Sequence, residues 1–181
     1  MSAVRLHFVD IDGEVVAALR AAFRDHPEVT CGDGDILAAA HDTLVSPANS
    51  YGFMDGGIDA VYARFFGPGL QRAVQEAINR RPEGHLPVGA SLAVRTGHAR
   101  IPFLIVAPTM HTPEPVPAEH CYRALRAVLR LAAADAEIGR DVFCPGLATG
   151  VGCVAPGQAA ERLARAYVDW KAALALTGAV R

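Results

Sequence analysis

Two segments of the chain carry the residue types best suited to chemistry. The first runs Val45-Ser46-Pro47-Ala48-Asn49-Ser50-Tyr51-Gly52-Phe53-Met54-Asp55-Gly56-Gly57-Ile58-Asp59 and the second Cys144-Pro145-Gly146-Leu147-Ala148-Thr149-Gly150-Val151-Gly152-Cys153. Each reads as a strand, a loop of small and polar residues, and the start of a helix. Backbone N–H groups turned inward beside a helix N-terminus hold phosphates without cationic side chains. That suits a chain whose only lysine is Lys171. A single lysine near the end of the sequence also removes a lysine P-loop and leaves little for a Schiff-base mechanism. Taken alone, a glycine-rich strand-to-helix turn is equally an ordinary tight turn.

Joined to Gly34-Asp35-Ile36, the pattern becomes more specific. The order is Gly-Asp-Ile, a strand ending in Ala-Asn-Ser, Gly-Gly-Ile-Asp opening a helix, then Ala-Thr-Gly-Val-Gly. It resembles the macrodomain family over roughly Cys31 to Trp170. The resemblance implies a three-layer α/β/α sandwich with a mixed sheet that binds ADP-ribose and needs neither cofactor nor metal. Carried over residue by residue, Asp35 would recognise adenine, with Ile36 beside it in the motif. Asn49 and Asp59 match the catalytic pair of the hydrolytic, MacroD-like branch, ten residues apart. Gly56 and Gly57, followed by Ile58, match the glycine run beside the distal ribose. Ala148, Thr149, Gly150, Val151 and Gly152 match the loop around the diphosphate. The implied activity is release of mono-ADP-ribose, ester-linked at acidic residues of proteins. A reader module without turnover and a hydrolase of ADP-ribosylated DNA are the alternatives. In the hydrolase, water attacks C1″ of the distal ribose, Asp59 orients or deprotonates it, and Asn49 fixes the ribose hydroxyls.

The chain departs from the family pattern at four places. Ser46 stands where the branch has a first asparagine, and Met54-Asp55 shorten the glycine run. Gly152 stands where an aromatic usually packs on the distal ribose, which predicts a roomier site. The family usually ends with a strand and an acidic turn after the last long helix. Here Arg5–Asp10, an acidic turn and an amphipathic helix stand at the other end. The expectation is that this N-terminal strand replaces the C-terminal one, with Asp10 and Ile11 near the adenine.

Most of these residues also have a purely structural reading. Asp35 is a candidate helix cap, and Asn49 and Asp59 suit loop and cap positions around a non-catalytic pocket. Asp55 before Gly56 reads as a turn residue. Tyr51 and Phe53 either cover a ligand or close a hydrophobic edge. His111, His120 and Cys121 fit no standard zinc spacing.

The elements that must position these loops follow from periodicity. Strands are expected at Val4–Asp10, Val29–Cys31, Thr43–Ser46, Ala90–Thr96, Phe103–Thr109 and Asp141–Pro145. Helices are expected at Gly13–Arg24, Ile58–Phe66, Gly69–Arg81 and Ala118–Glu137, with a final one carrying Leu163, Tyr167, Trp170 and Leu174. Strands alternating with helices predict a sheet buried between helical layers, in one domain over residues 1–181. With 181 residues, 51% of them hydrophobic, the chain can bury a sizeable core without disulfides. Seventeen basic against nineteen acidic residues give no reason to expect duplex nucleic-acid binding. The longest apolar run falls far short of the ~20 residues of a membrane span. A cytoplasmic protein with four reduced cysteines is expected. The alanine- and arginine-rich composition suggests a bacterial source.

Overall fold

The computed structural model describes residues 4–178. Its strands are β1 (Arg5–Asp10), β2 (Thr30–Asp33), β3 (Thr43–Ser46), β4 (Leu92–Arg95), β5 (Phe103–Val106) and β6 (Asp141–Cys144). Its helices are α1 (Gly13–Ala22), α2 (Ile36–Ala39), α3 (Gly57–Phe66), α4 (Gly69–Asn79), α5 (Glu119–Ala134) and α6 (Pro156–Gly178). The strands form one sheet in the order β2-β1-β6-β3-β5-β4, parallel except for β4, which runs antiparallel to β5.

Side chains alternate across that sheet with the strand period of two. Leu6, Phe8, Val45, Ile105, Val142 and Cys144 face one layer, where α1, α5 and α6 pack. Val9, Leu44, Leu104, Val106 and Phe143 face the other, against Leu37 of α2, Tyr62 of α3 and the Leu70, Val74, Ile78 stripe of α4. Both faces are covered, so β5 reads Phe-Leu-Ile-Val with no polar interruption. This is the expected three-layer α/β/α sandwich. No helix among the described residues is long and apolar enough to cross a membrane.

β1 lies inside the sheet, hydrogen-bonded in parallel to both β2 and β6. The amino-terminal strand therefore joins the central sheet as expected. Asp12 then caps α1, its carboxylate accepting from the amides of Glu14 and Val15, and Val15, Val16 and Leu19 bury the inner face.

The boundaries shift where local signals are weak. β2 begins at Thr30 and runs to Asp33, two residues past the expected end. α2 was not anticipated: one turn of four residues shows no helical period, and its Asp35 cap satisfies a single amide, that of Leu37. β5 ends at Val106, yet the chain continues beside the extension of β3. Ala107 N donates to Ser46 O and Thr109 N to Ala48 O, and Asn49 bridges Met110. This paired extension carries Asn49 beyond the sheet's carboxyl edge.

Gly52 is required by two constraints together. Its φ is +71°, and a Cβ there would lie 2.8 Å from both Val74 Cγ1 and Ile78 Cδ1. Gly52→Ala is expected to destabilise the fold by about 2 kcal/mol or more, from backbone strain plus overpacking. Gly13→Ala, at an ordinary helical position with open space around it, is expected to stabilise by about 0.5 kcal/mol. Urea denaturation of the two variants reads the opposite signs.

Candidate functional site

In a parallel sheet the loops that leave the carboxyl ends of the strands converge on one edge. Here those after β1, β2, β3, β5 and β6 enclose a cavity of about 650 Å3. That is the size of a small-molecule site. The residues that the resemblance assigned to catalysis or ligand binding line it: Asp35 and Ile36 after β2, Asn49 after β3, Gly56 to Asp59 at the start of α3, and Ala148 to Gly152 after β6; Tyr51, Met54 and His111 do not. Asp10 and Ile11, expected near the adenine, line the cavity together with Asp35 and Ile36.

Asp59 sits in the first turn of α3 with 6% of its surface exposed. Ser46, the last residue of β3, donates its hydroxyl to Asp59 Oδ1 at 2.7 Å. The second carboxylate oxygen has no protein partner among the described residues. Beneath it, buried Tyr62 donates to the Val45 carbonyl at 3.2 Å. Burial pushes the Asp59 carboxyl up to about 7, and the Ser46 hydrogen bond opposes the shift only in part. At this site desolvation outweighs the helix N-terminus, which by itself favours the charged form.

Asn49 is committed to its own loop. Its Oδ1 accepts from the amides of Tyr51 at 3.1 Å and Phe53 at 3.3 Å, and its Nδ2 donates to Phe53 O at 2.8 Å. One Nδ2 proton remains for a ligand. Asp35 is the helix cap of its structural reading, and it also faces the cavity. One oxygen caps α2 through Leu37 N at 2.8 Å.

The loop after β6 is a run of unused donors. None of the amides from Leu147 to Gly152 donates to a protein acceptor among the described residues, whereas Cys153 N and Val154 N turn back onto the Gly150 and Ala148 carbonyls. Ala148 adopts φ +60°, a left-handed conformation that folds the loop inward. Gly57, Ile58 and Asp59 add the free amides at the start of α3. No lysine, arginine or histidine lines the cavity, so an anionic ligand there meets backbone amides and neutral side-chain donors rather than cations.

Gly152 explains the missing aromatic. A Cβ at this position would come 2.7 Å from the Ala148 carbonyl oxygen, so the loop's own closure excludes a side chain. Gly146 ties the loop to the N-terminal strand: its amide donates to Asp10 Oδ2 at 2.9 Å. A Cβ on Gly146 would meet Thr149 Oγ1 at 2.7 Å and Val15 Cγ1 at 2.8 Å.

Sequence reasoning missed the lining contributed by Thr109, Met110 and Pro113. The expected strand to Thr109 concealed them, and only its pairing with the β3 extension brings them to the edge. The histidines have separate uses. His111 Nε2 meets the Tyr51 hydroxyl at 3.0 Å, and His120 Nδ1 meets the Thr109 carbonyl at 2.8 Å.

Comparison with known proteins agrees with this fold. The family model described as the Macro domain matches residues 45–163, leaving β1, α1, β2 and α2 outside the match. An uncharacterized protein of Aquifex aeolicus is 38% identical over 137 residues, 75% of this chain and 76% of its own length. The O-acetyl-ADP-ribose deacetylase of Escherichia fergusonii is 30% identical over 139 residues, 76% of each chain. Among solved structures, the macrodomain of Mycobacterium tuberculosis DarG superposes with TM-score 0.64 at 26% identity, over 75% of this chain and 87% of its own. An Oceanobacillus iheyensis macrodomain with MES bound gives TM-score 0.65 at 23% identity, over 76% and 73%.

Proposed function

The chain belongs to the macrodomain family, and from that premise we propose that it is an ADP-ribosyl hydrolase releasing mono-ADP-ribose from modified macromolecules, ester-linked at acidic residues of proteins. The observation that carries the proposal is Asp59, a carboxyl held at about 7 with one free oxygen on the wall of a cavity that also presents the unused amides of the β6 loop. An ordinary carboxylate is too weak a base to help water at neutral pH. One tuned close to the working pH accepts a proton far better.

In this reading the amides of Ala148 to Gly152 and of the α3 start hold the diphosphate, and Asp35 and Ile11 lie at the adenine end. The distal ribose then rests against Gly56, Gly57 and Asn49. Water attacks C1″ as the bond to the acceptor oxygen breaks. Asp59 takes the proton from water, and the electron pair leaves with the acceptor carboxylate. The result is ADP-ribose and a free acidic side chain. Support for an ester substrate comes from the relatives named O-acetyl-ADP-ribose deacetylases, whose name describes cleavage of an ester on the same nucleotide.

The test is release of ADP-ribose from a protein mono-ADP-ribosylated at acidic residues, with calorimetry on free ADP-ribose alongside. Release with kcat/KM rising with pH and levelling above about 7 is expected, since Asp59 must be ionised to act as base. Binding without release would leave the second reading, a reader module. What favours that one is Asn49, whose amide is mostly consumed by its own loop.

Gly152→Phe, which restores the family's aromatic, is expected to weaken ADP-ribose binding at least tenfold. Its Cβ cannot clear the Ala148 carbonyl without opening the amide loop. Wild-type affinity in that variant, by calorimetry, would show that the loop has room.

A further inference from the structure

We propose that a second, smaller cavity beside the first is the acceptor subsite, and that it selects peptides carrying an arginine or lysine side chain next to the modified residue. The inference rests on the hydrolase reading above and names the substrate class that reading leaves open.

The second cavity, of about 300 Å3, is lined by Asn49, Tyr51, Phe53, Asp55, Thr112 and Pro113. Four of these, Asn49, Phe53, Asp55 and Pro113, also line the main cavity. None comes from the β1 and β2 loops, so the space opens from the ribose end, where a group bonded to C1″ must exit.

Its chemistry is aromatic and anionic. Tyr51 is 38% and Phe53 51% exposed, so part of each aromatic side chain is open to solvent. The Tyr51 ring is held in place by its 3.0 Å hydrogen bond to His111 and by ring contacts with His111 and His85. Asp55 is exposed and makes no hydrogen bond or ion pair among the described residues. A carboxylate beside π faces is the setting that attracts a guanidinium or ammonium group.

The charge of the whole site points the same way. Asp10, Asp12, Asp35, Asp55 and Asp59 line the main cavity with no cationic side chain among them. Asp10, Asp12 and Asp35 accept from backbone amides, whereas Asp55 has no partner among the described residues; a bound diphosphate adds negative charge beside it, and a cation on the acceptor offsets both. A polynucleotide would instead bring further phosphates beside Asp55, where neither cavity is lined by a lysine, arginine or histidine.

The test uses two peptides with mono-ADP-ribose ester-linked to a glutamate, identical except for arginine or glutamate as the next residue. kcat/KM for ADP-ribose release is measured with the wild type, Asp55→Asn and Tyr51→Leu. Dissociation constants are measured in parallel on Asp59→Ala, with and without the same two substitutions. The arginine peptide is expected to be favoured about tenfold at low salt. That ratio should fall to near one in Asp55→Asn and several-fold in Tyr51→Leu. Equal treatment of the two peptides by the wild type, or an unchanged ratio in Asp55→Asn, overturns the proposal. So does faster release from an ADP-ribosylated single-stranded oligonucleotide than from either peptide. If neither peptide is turned over but the affinity ratio and its loss in Asp55→Asn remain, the hydrolase reading fails and the cationic subsite stands.

Discussion

Asp59→Ala is expected to lower the rate of ADP-ribose release by two orders of magnitude or more while leaving affinity for free ADP-ribose within a few-fold. The size of the rate effect is that of removing a general base. The weak effect on binding follows from the position of the carboxylate. Asp59 is anchored by Ser46 in the first turn of α3, whereas the donors available to a diphosphate are backbone amides of the β6 loop, which the substitution leaves in place. Removing a negative charge close to an anionic ligand also costs no attraction. A falling kcat with preserved binding therefore separates a catalytic Asp59 from one that only shapes the pocket. Asp59→Ala releasing ADP-ribose at the wild-type rate would remove this residue from the chemistry. Parallel loss of binding and release would make it a structural residue of the cavity wall.

The layer architecture was legible because it rests on local periodicity. Phe103–Val106 shows the uninterrupted apolar character of a strand buried on both faces, and α5 shows its stripe through Leu125, Val128, Leu129 and Ala132. What periodicity does not encode is register and continuation. β2 starts one residue later and ends two later than its apolar letters suggest, because its pairing with β1 sets the register from His7–Thr30 to Asp10–Asp33. The Thr109–Pro113 wall exists through pairing with residues some sixty positions away.

The site was legible as a set of positions but not as a set of chemical states. Loop composition and motif order brought Asp35, Asn49, Asp59 and the β6 loop together, and all of them line one cavity. Their commitments depend on contacts that no spacing reveals. The amide of Gly146 reaches Asp10 across 136 residues, and Asn49 spends its side chain on the turn at Tyr51 and Phe53. Gly152 reads as a vacancy in the sequence. In the structure it is a steric requirement, because the Ala148 carbonyl occupies the room that a side chain would need.

Asp59→Asn should make the protein more stable at pH 8, and the gain should vanish near pH 4. Folding moves the Asp59 carboxyl from an ordinary 3.8 to about 7, so the folded chain holds this proton more tightly than the unfolded one. Between those values folding takes up a proton, and stability falls as pH rises through the window. Above about 7 the carboxylate is ionised in the folded state against the cost of its burial. Three pH units correspond to about 4 kcal/mol, an upper bound for the penalty. Asparagine keeps the volume and can still accept from Ser46, but it carries no charge to desolvate. Thermal unfolding at pH 8 should therefore show a melting point higher by up to on the order of 10 °C, with little difference between variant and wild type at pH 4. Other carboxylates titrate in both proteins alike and cancel in the comparison. A difference that stays constant from pH 4 to pH 8 would mean that burial does not perturb Asp59. A variant that gains stability with rising pH and loses turnover would show that the chain keeps a carboxylate its fold would be more stable without, as expected where the group is retained for its chemistry.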